Sequence, residues 1–327
     1  MILSNILRFC CPAAAVAAAA VSLISCDAIY DDEGDCSVRY GVKFRYDYNM
    51  VEADAFASSV DAVSLYLFDP ADGHLVWCGT ESGDALASEG WVMPVDVAPG
   101  CYDAIAWGYG YREDASGFSL ATEGEVTTKS DLICRMARSS DAAGVSYSDS
   151  DLHELYHVAV DGIEFPDTYG DVTLPPLRMT KDTNVIRILL MHFDGSPMEQ
   201  DDFFVTITDN NGLLNYDNTL LPDETITYRP WSQLSVETSR PEPEGRAIVS
   251  ASGLLAEMTV SRLMADHNPV LAVTHRDADG SMRDVLRINL REYVLMVKGN
   301  YHRHYTDPQN LDDQDEYVIT FFLNDEN

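Results

Sequence analysis

Positive charge is scarce in this sequence beside negative charge. Its 327 residues carry 21 Lys and Arg against 54 Asp and Glu, a formal net charge of −33. So acidic a body is repelled by phosphate backbones and anionic headgroups, which argues against nucleic-acid binding and a polybasic membrane patch. Helical periodicity is scarce, and only Asn49–Phe56 and Pro308–Asp315 are spaced for a short helix. No apolar run reaches the roughly 20 residues that a membrane-spanning helix needs. There is no Cys-x-x-Cys pair and no Gly-x-Ser-x-Gly elbow. Gly108-Tyr109-Gly110 fails as a dinucleotide fingerprint because Glu113 stands where the third glycine belongs. Hydrophobic residues nevertheless make up 46% of the chain and the charges are dispersed, so a packed core is expected rather than an acidic disordered tail.

The amino terminus reads as an export signal. Arg8 supplies the positive region and Pro12 to Ile24 form an alanine-rich apolar stretch too short to cross a bilayer. Leu23-Ile24-Ser25-Cys26 follows, with a branched residue at −3 and a small residue at −1, which is the lipobox pattern. The expectation is cleavage before Cys26 and acylation of that cysteine. Two or more acyl chains make a stable anchor, at about 0.8 kcal/mol per buried methylene. Removing this leader subtracts a single charged residue, Arg8, so the exported body stays strongly acidic. Asp27 to Cys36 then form an acidic tether.

Beyond the tether, apolar residues alternate with polar ones between Gly, Pro, Asn and Asp punctuation, the signature of β-strands. Val42, Phe44 and Tyr46 share a face, as do Val63, Leu65 and Leu67, which end at the turn sequence Asp69-Pro70-Ala71-Asp72-Gly73. Trp91–Val97, Tyr102–Trp107 and Leu152–Val160 continue the series. Pro166 and Pro175-Pro176 mark a linker. Strands resume at Val185–Phe193, Phe203–Asp209, Leu254–Leu263, Val270–His275, Val285–Leu290, Tyr293–Val297 and Tyr317–Leu323. Asn210-Asn211-Gly212 reads as a hairpin turn. The expected organisation is a signal peptide (1–25), a lipidated tether (26–36), and two β-sandwiches in tandem, 37–172 and 173–327. Cys36, Cys78, Cys101 and Cys134 all fall in the first half. They allow three pairings or free thiols.

The sharpest enzymatic pattern is His153-Glu154-Leu155-Tyr156-His157, which satisfies the His-Glu-x-x-His rule of zinc hydrolases. That chemistry needs both histidines on one helical face holding the metal while the glutamate activates water. Val158-Ala159-Val160-Asp161-Gly162 follows and reads as strand and turn, so the helix is not expected. Tyr301-His302-Arg303-His304 has no evident third ligand, and Asp277-Ala278-Asp279-Gly280 lacks the closing glutamate of a calcium loop and fits a hairpin turn. No metal, cofactor or catalytic group is assigned. Trp77, Trp91, Trp107 and Trp231 would serve a surface glycan-binding lipoprotein if exposed in a row. Their places in or beside strands favour packing instead.

Several segments carry a family resemblance. Cys26 to Cys36, then Val42 to Met50, Ala53 to Phe56, Leu65 to Asp69 and Pro99 to Gly108 resemble the FimB/Mfa-type fimbrial anchor lipoproteins of Bacteroidota. Met179 to Asn184, Ser261-Arg262-Leu263 and Asp315 to Leu323 extend the likeness in order along the chain. Asn310-Leu311-Asp312-Asp313 departs from the family's Tyr-Leu-Asp-Arg segment. The resemblance implies a non-enzymatic subunit of two transthyretin-like sandwiches at the base of a type V pilus. Lipid on Cys26 would hold it in the outer membrane, facing outward. It also implies contact with fimbrial shaft subunits by β-strand exchange, with Tyr317–Leu323 as a candidate contact.

Overall fold

The computed structural model describes residues 38–49, 53–88, 90–113, 115–121, 124–192, 194–240, 249–264, 266–291 and 316–323. Nearly all of its elements are strands, alongside a four-residue helix, Phe56–Ser59. The fold class is therefore all-β, as the alternation predicts.

The first half is built on a five-stranded sheet in the order Thr180–Lys181, Glu154–Phe165, Gly100–Gly110, Ala62–Phe68, Leu75–Ser82. Period-two alternation sends Val63, Leu65 and Leu67 to one face and Tyr66 and Phe68 to the other, and all five are buried. The Asp69–Gly73 turn closes the last hairpin, with Gly73 at φ 72° and its N–H donating to the Asp69 carbonyl at 2.8 Å. Only a residue without a Cβ takes that left-handed conformation at little cost.

One face of this sheet packs on a three-stranded sheet ordered Gly170–Thr173, Val38–Val42, Met93–Val95. Phe44, Phe56 and Trp91 stack beside it, with the Phe56 and Trp91 ring planes 10° apart. The opposite face, carrying Ile105, Trp107 and Leu155, shares its hydrophobic cluster with the second half of the chain.

That second half is a sandwich. A four-stranded sheet runs Ser232–Arg240, Val249–Ser261, Thr183–His192, Glu316–Leu323. A six-stranded sheet runs Met282–Asn289, Val270–Arg276, Phe203–Asp209, Ile226–Tyr228, Ser146–Ser148, Ser139–Ser140. Ile186, Ile188 and Leu190 meet Val205, Ile207, Leu271 and Val273 in the interior, all essentially inaccessible. Each such side chain contributes about 1.5–3 kcal/mol by leaving water. Strands from early in the chain pair with later ones, in the six-stranded sheet and in a separate three-stranded sheet of Leu213–Leu214, Cys134–Met136 and Phe118–Leu120. Ser146–Ser148 pairs in parallel with Ile226–Tyr228, and Cys134–Met136 pairs with Leu213–Leu214.

Two local expectations are corrected. Asn210-Asn211-Gly212 does not close a hairpin, because Phe203–Asp209 pairs with Val270–Arg276 and Ile226–Tyr228 instead. Asn211 is buried there as a connector: its amide donates to the Ser261 and Arg262 carbonyls and accepts from the Tyr228 hydroxyl at 2.6 Å. The strand expected to end at Val160 runs on to Phe165, and a register shift between Val160 and Ile163, with Gly162 at φ 70°, absorbs the expected turn. The strand expected at Tyr293–Val297 and the helix expected at Pro308–Asp315 lie outside the described residues.

Candidate functional site

The carboxy-terminal strand, Glu316–Leu323, is the outermost of its sheet among the described residues. It lies parallel to Thr183–His192 in an unbroken register from Val185↔Glu316 to His192↔Leu323. A parallel partner must reach its place by a long connection rather than a hairpin, and the chain between His192 and Glu316 contributes strands to the six-stranded sheet before returning. Alternation fixes what it shows. Ile319, Phe321 and Leu323 pack against the core, whereas Val318, Thr320 and Phe322 point outward. Val318 is 67% exposed and Phe322 62%.

The rungs beneath these side chains are readable strand by strand. Val318 lies beside Arg187, whose guanidinium is held by Glu257 at 2.8 Å. Thr320 continues into Leu189, Leu255 and Leu234, and Phe322 into Met191, Gly253 and Val236. The outward face is thus apolar around Phe322. Gly253 is required there, since a Cβ would meet the Leu190 carbonyl oxygen at 2.8 Å. An exposed strand edge with alternating apolar side chains is a ready template for a further strand.

The His-Glu-x-x-His segment lies on a strand, not a helix. Glu154 opens Glu154–Phe165 and His153 precedes it. The His153 Nδ1 accepts the Arg112 backbone N–H at 3.1 Å, and burial lowers its pKa. His157 is buried against Trp107, and its Nε2 bonds the Tyr216 carbonyl at 2.8 Å. Burial holds its pKa down to about 4, with the Tyr216 carbonyl opposing, so the ring is a neutral Nε2–H donor at neutral pH. Glu154 is enclosed by two cations, Arg112 at 2.6 Å and Lys181 at 3.0 Å, and by a neutral donor, the Tyr156 hydroxyl at 2.5 Å. Burial alone would raise its pKa, but Lys181 and these hydrogen bonds hold it near 2. A carboxylate so engaged is a structural anion rather than a base for water. Among the described residues no cluster of His, Cys, Asp or Glu is placed to hold a metal. Arg112 and Lys181 carry no sequence signal for this role, because the partners lie 42 and 27 positions from Glu154.

The remaining candidates disperse. Asp277-Ala278-Asp279-Gly280 is a hairpin turn, closed by the Asp277 N–H to the Ser281 carbonyl. Trp107 is buried, Trp91 stacks on Phe56, and Trp231 Nε1 donates to Thr259 Oγ1 at 3.2 Å, so the tryptophans form no exposed row. Cys134 is a buried thiol and Cys101 an exposed one. Cys26, Cys36, His302, His304 and Asn310 to Asp313 lie outside the described residues.

A family profile described as fimbrillin-A associated anchor proteins Mfa1 and Mfa2 matches residues 32–327. Among solved structures, a candidate adhesin from Bacteroides thetaiotaomicron is 31% identical with a TM-score of 0.71, the match covering 90% of this chain and 94% of that one. A candidate polysaccharide-binding protein from the same organism is 28% identical with a TM-score of 0.69, covering 88% and 93%. The fimbrial anchor protein Mfa2 from Porphyromonas gingivalis shares the fold at 18% identity, with a TM-score of 0.59 over 87% and 90%. No curated protein sequence matches the chain.

Proposed function

The chain belongs to the family of fimbrillin-A associated anchor proteins Mfa1 and Mfa2, and from that premise we propose that it fixes a type V pilus to the outer membrane through lipid on Cys26. Membership gives it a fimbrial, adhesive role at the cell surface. The lipobox before Cys26 supports the anchor, and the net charge of −33 suits a body that stands away from the headgroups.

The observation that carries the assembly half of the proposal is the exposed edge strand Glu316–Leu323. A strand donated by a shaft subunit adds to its outer side. Main-chain hydrogen bonds supply affinity, and Val318 and Phe322 supply selectivity. The test is a Val318→Lys/Phe322→Lys double variant. Both positions face outward, so its melting temperature is expected to stay within about 2 °C of the parent. Cells carrying it are expected to lose attached fibres. Normal fibre attachment by that variant would refute a contact at this edge.

A further inference from the structure

A pocket of about 410 Å³ opens at one end of the six-stranded sheet, where Phe203–Asp209 gives way to Asn210. We propose that it is a saccharide subsite that takes one neutral pyranose ring. The size falls within the range of small-molecule sites. Its chemistry excludes most other ligand classes. Val270 is its single apolar lining residue, so a hydrophobic ligand gains little there. No Lys or Arg lines it while Asp209 and Asp266 do, which repels phosphates, sulfates and acidic sugars. The described residues offer no carboxylate–imidazole cluster placed to hold a metal.

What remains is a mixed set of donors and acceptors. Asp266 offers a carboxylate, and Thr208 and Thr225 offer hydroxyls. Asn289 donates to Asn268 Oδ1 at 3.0 Å, which orients the Asn268 amide and leaves its NH₂ as a donor. Asp209 forms the floor. Its side chain is 3% exposed, and its Oδ1 accepts the Asn210 N–H at 2.8 Å and contacts His267 Nδ1 at 3.3 Å. Its other oxygen, Oδ2, is buried with no hydrogen-bond partner among the described residues. That oxygen is enclosed by the protein, so the acceptors the pocket presents to a ligand are the exposed Asp266 carboxylate and the Thr225 hydroxyl. Pyranose hydroxyls donate and accept at once, and adjacent pairs of them match a carboxylate beside an amide. Thr208 and Val270 are direct ladder partners, so the wall they form is held rigid by the sheet. The pocket lies on the other sheet of the sandwich from Glu316–Leu323, and its failure would leave the anchoring proposal untouched.

The test is ligand-observed NMR on the full mature chain, titrated with the methyl glycosides of galactose, glucose, mannose and fucose. Glucuronate and methylamine serve as charged comparisons. Saturable binding of at least one neutral glycoside is expected, with Kd on the order of 1 mM for a single ring without an aromatic platform. Asp266→Ala and Asn268→Ala, both at the rim, should each weaken it about tenfold while leaving the melting temperature unchanged. The proposal is overturned if no neutral glycoside saturates, if binding survives both substitutions together, or if only glucuronate or methylamine binds.

Discussion

At the scale of single residues, the His-Glu-x-x-His segment changes meaning when its surroundings are known. In the sequence it matches a zinc pattern without the helix that pattern needs; in the fold it ties one strand to its neighbours. His157 reaches Tyr216 across 59 positions, and Glu154 gathers Arg112 and Lys181. Both groups make stability depend on pH, in separate windows. The folded His157 pKa of about 4 lies below its ordinary 6.5, so the neutral ring is the stabilising form. Its contribution is full above pH 6.5 and falls away between there and pH 4, by about 3 kcal/mol in all. Glu154, held near 2 instead of 4.5, contributes fully above pH 4.5 and loses that contribution as pH falls toward 2. Urea unfolding at pH 7, 5 and 3.5 separates the two. His157→Gln should be less stable than the parent at pH 7 and lose less stability than the parent down to pH 5, the residual slope belonging to His153, whose pKa burial also lowers. A parent-like slope in that variant would show that His157 is not the group that titrates.

At the scale of elements, alternation made the strands legible. Phe203–Asp209 coincides with its expected bounds, and Tyr317–Leu323 differs from the observed strand by one residue. Pairing was not legible, because a ladder partner leaves no trace in its own neighbourhood. Asn210-Asn211-Gly212 has the composition of a hairpin turn, yet the strands beside Phe203–Asp209 come from positions 226–228 and 270–276. Nothing local distinguishes Cys134–Met136 as a partner of Leu213–Leu214 either. The carboxy-terminal strand was recognisable, but its exposed face follows only from its place at the sheet edge. Two substitutions check that geometry. Phe321→Ala, on the half-buried inward side, should cost about 1–2 kcal/mol in denaturant unfolding. Gly253→Ala should cost about 1–3 kcal/mol, because its Cβ would press on the Leu190 carbonyl oxygen. A neutral result at Gly253 would contradict the close approach of Val249–Ser261 to Thr183–His192.

At the scale of the whole molecule, one property was clear from composition and another was not. The excess of carboxylates sets a body that avoids anionic surfaces. The five-stranded sheet, by contrast, is covered on both faces, and its second face joins the core of the later sandwich. That continuity depends on which long-range strands meet, which composition does not record. Under the proposed contact, load entering at Glu316–Leu323 would pass into one extended set of packed sheets. In the proposed anchor the other end of that path is the lipid on Cys26. The most direct measurement replaces Cys26 by Ala in a strain whose own copy of the gene is deleted, then counts fibres on cells and in the medium by electron microscopy. Anchoring through Cys26 predicts an unacylated chain and fibres shed into the medium. Fibres attached in normal number and length to cells carrying Cys26→Ala would contradict it.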